Sequence, residues 1–184
     1  MAGRVKKKFE NILYYHKSKI LAGAAAAALL IWGACLFGGG SPDTALYGEA
    51  VNVEISRESA DAACRAGIAA LGKNPDREQI ILETGMEIDV ERPESNAGNG
   101  NLEKMTTSIF AREIDFIICT PAVMDYYAEK DALEKLGGGY GMDITDRFPA
   151  KDGGKTMFCI FKNSEHKEDA RLFGESLVQF DREE

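Results

Sequence analysis

The sequence predicts an α/β protein in two parts: an N-terminal transmembrane helix, then one three-layer α/β/α domain on a parallel or mixed sheet of four to five strands. Three observations predict it. Residues 20–37, ILAGAAAAALLIWGACLF, are 18 in a row with no charge, and a helix of that length rises about 27 Å, one hydrocarbon core. From residue 50 onward, short β-branched runs alternate with helical stripes, the pattern of strands and the helices that cover them. The 144 residues beyond position 40 of this 184-residue chain suffice for one domain core and are too few for two.

The charge is divided as the apolar run is. Residues 1–19 carry six Lys/Arg against one acid, Glu10, while the rest carries 16 basic and 29 acidic residues. Basic flanks stay cytoplasmic, so the N-terminus is expected inside and residues 41–184 outside, at the cell membrane, with a single pass. The acidic part has no footprint for nucleic acid, which needs a basic surface. Two rival readings of the apolar run remain. A cleaved signal peptide has a shorter apolar region, typically about 7–15 residues. A lipoprotein signal would end at Cys35, yet Trp32 fits that context poorly and the run stays apolar through Leu36 and Phe37. All three readings place the domain outside the cytoplasm. The expected organisation is a basic cytoplasmic stub at 1–19, a transmembrane helix at 20–37, a linker at 38–47 and an extracytoplasmic α/β domain at 48–184.

The elements follow in order. Residues 50–55 (AVNVEI) alternate apolar and polar and predict a strand. Ser56 to Ser59 supply N-cap chemistry, and Ala60, Cys64, Ile68 and Leu71 make one helical stripe that Gly72 ends. Residues 79–84 (QIILET) predict a second strand, and the alternation of Met86, Ile88 and Val90 with Glu87, Asp89 and Glu91 extends it. A polar loop at 92–100 leads to a second helix through Leu102, Met105 and Ile109. Residues 115–119 (DFIIC) predict a strand buried on both faces. Thr120-Pro121 starts a third helix, expected to run to about Leu133 before Gly137-Gly138-Gly139. Residues 140–154 look irregular, 155–161 (KTMFCIF) predict a strand, and Ala170, Phe173, Leu177 and Phe180 mark a last helix.

The cysteines are Cys35, Cys64, Cys119 and Cys159. No CxxC and no regular spacing points to zinc or to a disulfide framework. They read as buried free thiols, with one Cys119–Cys159 bridge left open.

The stretch NLEKMTTSIFAREIDFIICTPAVMDYYAEKDALEKL resembles part of the bacterial extracellular solute-binding proteins of ABC transporters, with the type II periplasmic-binding fold. In that family a KLxxxIAxGExD helix leads into an apolar strand, and a later helix ends in YAxxGALxDL. Lys104, Met105, Ile109, Ala111, Arg112, Glu113 and Asp115 match the first pattern. Tyr126, Tyr127, Ala128, Ala132, Leu133 and Leu136 match the second. Residues 161–170 (FKNSEHKEDA) resemble the family's NSxxxEEAxxF segment. The likeness covers about residues 50–180 and implies one lobe of a fold whose relatives clamp ligand between two; residues 140–154 are too few for the second lobe.

Ligands of open α/β sheets sit beyond the carboxyl ends of the strands, near helix N-termini. That edge comprises Ser56, Arg57, Ser59, Thr84, Gly85 and Thr120, the predicted ligand-binding residues. Arg57 is the cation fit to pair with a carboxylate or phosphate. The plainer and commoner reading is that Ser59 and Thr120 are helix caps and Arg57 is solvated. The oxygen-rich run of Glu87, Asp89, Glu91, Glu94, Asn96 and Asn99 lacks EF-hand spacing, and no metal is expected there. Tyr126 and Tyr127 read as core and rim packing. His166, beside Ser164 and Glu165, does not make a triad by adjacency in sequence, and no GxSxG, GxGxxG or Walker pattern occurs. The expected function is therefore non-catalytic and without cofactor. It is a membrane-anchored solute-binding-like domain associated with a transporter, whose partners are the bilayer and a small solute or membrane protein. The alternative is an envelope interaction or structural domain that has lost its ligand.

Overall fold

A computed structural model of the chain describes residues 42–92, 100–150 and 153–179. The stub, the apolar run at 20–37, residues 38–41 of the linker, residues 93–99 of the loop at 92–100 and Phe180 lie outside them. Among the described residues no helix is long and apolar enough to cross a membrane.

The compact unit begins at Pro42. Its elements are β1 (Asp43–Val51), α1 (Arg57–Ala70), β2 (Glu78–Met86), α2 (Asn101–Phe110), β3 (Phe116–Cys119), α3 (Pro121–Glu129), β4 (Met142–Asp143), β5 (Met157–Ile160) and α4 (Lys167–Gln179). The five strands form one sheet in the order β2-β1-β3-β5-β4. β1 is parallel to β2 and β3, whereas β5 runs antiparallel to β3 and β4. The sheet is thus mixed, and the α/β expectation holds.

Every residue of β3 is buried, which explains why FIIC shows no alternation: both faces are covered. Phe116 and Ile118 face one core beneath α1 and α4, and Ile117 and Cys119 face the other beneath α2 and α3. The helical stripes read from sequence are the inward faces. Ala60, Cys64 and Ile68 of α1 and Ala170, Phe173 and Leu177 of α4 are buried in the first core, and Met105 of α2 in the second.

Several boundaries differ from expectation, among them the end of the second strand, which stops at Met86 rather than continuing through Glu91. β1 starts at Asp43, so part of the predicted linker 38–47 is strand, and it ends at Val51 rather than running to 55. The cause is Asn52, whose backbone is left-handed (φ 57°) and turns the chain out of the sheet. Its side chain then donates to the Ile88 carbonyl (2.7 Å) and accepts from the Ile88 N–H (2.8 Å). One amide thereby replaces a strand pairing. Residues 53–55 and 87–88 keep the in–out alternation, with Val53, Ile55 and Ile88 buried, but lie outside the ladder, and the chain bends from Val90, where the Asp89 side chain accepts from the Glu91 and Arg92 N–H groups. The helix expected to reach Leu133 stops at Glu129. Residues 140–154, read as irregular, contain β4 at one sheet edge.

The first core is built on a size match between rings and glycines. Phe116 stacks on Phe158 with centroids 5.0 Å apart, and Phe173 meets both edge-on at 5.3 and 5.8 Å. A Cβ added at Gly48 would fall 2.3 Å from the Phe116 ring, and one at Gly67 would fall 2.4 Å from the Phe173 ring. Gly174 of α4 is in the same position beside Met142 and Phe158. Gly67→Ala separates two effects. Helix propensity favours Ala by about 1 kcal/mol, while overpacking costs about 1–3 kcal/mol. The expected outcome in urea melts is a net loss, which turns neutral or favourable when Phe173→Leu makes room. An equal loss in both backgrounds would contradict the ring–glycine account.

The β4 edge is tied electrostatically. Asp143 accepts from the Lys155 ammonium at 2.8 Å and the Thr145 hydroxyl at 2.5 Å. The Lys155 hydrogen bond, followed by that from Thr145, holds its carboxyl down at about 2. A carboxyl depressed on folding contributes stability above its unfolded value, about 3.9, and loses it as pH falls through the folded one. Asp143 is exposed, so the contribution is less than about 1 kcal/mol. The stability gap between wild type and Asp143→Asn should be open at pH 7 and close as pH approaches 2; a gap independent of pH would contradict it.

Candidate functional site

The predicted edge holds one side-chain helix cap, and it is Ser56 rather than Ser59 or Thr120. Ser56 is the N-cap of α1: its Oγ accepts from the Ser59 N–H at 3.1 Å and donates to the Ser59 Oγ at 2.8 Å. Both hydroxyls are thereby engaged. Thr120 precedes α3 without a side-chain cap bond, and Gly85 is at φ 91°, a conformation glycine adopts at no steric cost. Arg57 and Thr84 do come together. They line a cavity of about 270 Å³ along β2, the outermost strand, with Asp61 and Glu83. Ser56, Ser59, Gly85 and Thr120 do not line it. The six residues are therefore not one site.

A second cluster contains the residue types of a hydrolase triad. Asp115, just before β3, accepts the Ser164 hydroxyl at 2.6 Å and the Tyr47 N–H at 2.9 Å. The His166 Nδ1 lies 3.1 Å from the same carboxyl oxygen that binds Ser164. Ser164 Oγ in turn accepts the His166 N–H at 3.0 Å. The serine hydroxyl proton points to the carboxylate, not to the imidazole, so this geometry does not activate a nucleophile. It does bind three segments together: β1 through Tyr47, the start of β3, and the turn before α4. Lys104, another charged residue of the family-like pattern, is structural as well. Its ammonium pairs at 3.1 Å with Glu49, a carboxylate buried on β1. That carboxylate also receives the Tyr47 hydroxyl at 3.5 Å. Burial, then the neighbouring Glu49 and Glu83 charges, push the Tyr47 phenol up to about 12.

Cys64, Cys119 and Cys159 are free and buried, and the Cys119–Cys159 bridge is not formed. The strand register explains this: Cys119 sits opposite Met157, and Cys159 sits opposite Ile117, so the two are diagonal neighbours rather than a facing pair. Burial and a nearby Asp61 push the Cys64 thiol up to about 12, and a hydrogen bond to Cys159 together with burial raises Cys119. No group of three or more His, Cys, Asp or Glu side chains among the described residues could hold a metal.

A larger cavity, about 500 Å³, lies at the opposite edge, beside the amino end of β3. That volume is in the range of small-molecule sites, about 300–1,000 Å³. α2 contributes Ile109 and Phe110 from its last turn. α3 contributes Tyr126 and Tyr127, and the turn after it contributes Lys130 and Asp131. Lys162 and Asn163 enter from the segment after β5. The topology brings them together, because α2 ends where β3 begins and antiparallel β5 ends at the same edge.

The walls are aromatic. The Tyr126 and Tyr127 rings are edge-to-face at 5.2 Å, and Tyr127 meets Phe161 in the same way at 5.7 Å. Phe110 is 82% exposed, although it ends an amphipathic helix. The Lys130 ammonium lies over the Tyr126 ring, 4.4 Å from its centre, and makes no ion pair among the described residues. Lys162 is paired with Asp131 at 2.7 Å. Two lining residues carry buried polar atoms without a partner, the Tyr127 hydroxyl and the Asn163 carbonyl oxygen. The Asn163 amide nitrogen donates to the Ile109 carbonyl, which leaves that oxygen as the free acceptor. Such orphaned groups typically cost about 1–3 kcal/mol each, so they mark where a ligand group would be welcome. Burial keeps the Tyr127 phenol protonated, and hence a donor.

The chain matches no family model, no curated protein and no solved structure.

Sequence reasoning placed the Tyr pair correctly as core and rim, since Tyr127 is buried and Tyr126 is half-buried. It missed the cavity because the lining residues come from three segments. One signal was available: Phe110 is out of phase with the stripe Leu102, Met105 and Ile109, so a large aromatic was destined for the surface.

Removing the Asp115 carboxylate tests its role as a tie. Asp115→Ala orphans the Tyr47 N–H and the Ser164 hydroxyl, at about 1–3 kcal/mol each, and should lower the urea midpoint strongly. His166→Ala, which removes only an exposed partner, should cost less than about 1 kcal/mol. Equal losses from the two variants would contradict this assignment.

Proposed function

We propose that this chain is a non-catalytic binding domain of the bacterial cell envelope. Residues 20–37 anchor it in the membrane, and its α/β domain stands on the extracytoplasmic side as a single solute-binding-like lobe associated with a transporter. The ligand site is the aromatic cavity between α2, α3 and the segment after β5. One observation carries this reading: a cavity of about 500 Å³ with apolar walls whose lining residues include two buried, unpartnered polar atoms. That combination of apolar surface with a few polar groups is what small-ligand sites present. The charge division of the chain and the 18-residue apolar run support the anchor and its orientation.

The exposed Phe110 at the cavity rim favours a second reading, in which the cavity receives a side chain of a membrane protein. Solute binding and partner binding give different outcomes in one experiment. The full chain in detergent is screened by thermal melting against sugars, amino acids, polyamines, metal ions and small organic acids. Solute binding predicts at least one rise in Tm that Thr106→Trp abolishes. Thr106 is exposed on α2 and lines the cavity, so the larger ring obstructs it without disturbing the core. No shift with any solute, together with a neighbour cross-linked through a probe at Phe110, supports the partner reading. A ligand shift untouched by Thr106→Trp would move the site elsewhere.

A further inference from the structure

We infer that the ligand class of the aromatic cavity is a small aromatic carboxylate bearing a hydroxyl or N–H donor on its ring. This inference rests on the reading of the cavity as a ligand site. Each part of such a molecule answers a feature of the walls. Tyr126 and Phe110 present flat apolar surface, and aromatic rings pair with each other edge-to-face or offset at about 4.5–7 Å between centroids. A planar ring therefore gains more here than a sugar or an aliphatic chain.

The cation decides the acid group. Of the two lysines in the lining, Lys162 is already neutralised by Asp131 at 2.7 Å. Among the described residues, Lys130 has only the Tyr126 ring beneath it. A carboxylate placed against Lys130 gains a charge-assisted hydrogen bond without breaking a pair. A cationic ligand finds no equivalent: Asp131, the one carboxylate among the described lining residues, is engaged with Lys162. The acidic charge of the domain as a whole opposes an anion, but surface charges beyond about 8–10 Å are largely screened at physiological salt.

The orphaned atoms decide the donor. The Asn163 carbonyl oxygen can only accept, so it asks for an O–H or N–H. The Tyr127 hydroxyl donates or accepts, so it can pair with the same kind of ligand group. A ring with a donor and a carboxylate offers a complementary group to each of Asn163, Tyr127 and Lys130, which line one cavity. A plain hydrocarbon satisfies none of the three.

Three probes separate these contributions by isothermal titration calorimetry on the full chain in detergent: 4-hydroxyphenylacetate, phenylacetate and 4-methylphenol. 4-Hydroxyphenylacetate should bind about tenfold or more tighter than either of the others, the ratio expected for one charge-assisted or one buried hydrogen bond. Lys130→Ala should remove its advantage over 4-methylphenol and leave 4-methylphenol binding unchanged. Tyr127→Phe, which keeps the ring and its packing, should reduce its advantage over phenylacetate. Equal binding of all three probes to wild type, or a ratio unmoved by Lys130→Ala, would overturn the assignment of class while the cavity stands. Failure of all three probes, with another solute giving a Tm rise that Thr106→Trp abolishes, also overturns the class alone. Failure of every solute overturns the small-ligand reading of the cavity with it.

Discussion

Phe116 stacks on Phe158 at 5.0 Å and meets Phe173 edge-on at 5.3 Å, and this contact holds the sheet to its first helix layer. It depends on glycines at Gly48, Gly67 and Gly174, where a single methyl would overlap its neighbours. Close approach of backbone to ring is what brings α1 and α4 down onto the sheet. Because β3 is buried on both sides, the position of Phe116 and Ile118 also sets that of Ile117 and Cys119. The second core, beneath α2 and α3, inherits its register from the first. The cavity is the unfilled end of that second core, where α2 ends, α3 ends and β5 has run out.

Polar ties then fix the edge at which the cavity opens. Asp115 joins β1, β3 and the turn before α4 through Tyr47, Ser164 and His166. Two residues before that His, Ser164 is buried beside Asn163, whose amide is held by the Ile109 carbonyl. A structural carboxylate therefore stands behind a candidate ligand group: it positions the segment from which Asn163 is presented. At the other edge, Asn52 plays a comparable part by substituting its side chain for a strand pairing at Ile88. Asn52 does so where β1 ends, and Asp115 where β3 begins.

Periodicity revealed the layers because burial writes it into sequence. The stripes of α1 and α4 and the unbroken FIIC of β3 are direct imprints of one covered face or two. Other boundaries were not legible. Val53, Ile55 and Ile88 alternate with polar residues because they are buried in extended chain, and alternation does not report whether a partner strand is present. The start of β1 was hidden because Gly and Pro precede it and Tyr47-Gly48 interrupts its apolar run. The two-residue β4 is too short to carry a pattern. The candidate site was the least legible part. The rule about carboxyl ends of strands points to an edge where Ser56 caps α1 and only Arg57 and Thr84 share a cavity. The larger cavity depends on which polar atoms tertiary packing leaves without partners, and one sequence does not encode that in any local pattern.

The central claim is that ligand enters at the amino end of β3 and not at the carboxyl edge, and backbone amide chemical shifts decide between them. The full chain, labelled with ¹⁵N in detergent, is titrated with 4-hydroxyphenylacetate. The account predicts shifts concentrated at Ile109 and Phe110, at residues 126–131, and at Lys162 and Asn163, with Ser56, Arg57, Ser59 and Thr84 unmoved. Shifts confined to that second group, with the aromatic cavity silent, would contradict it.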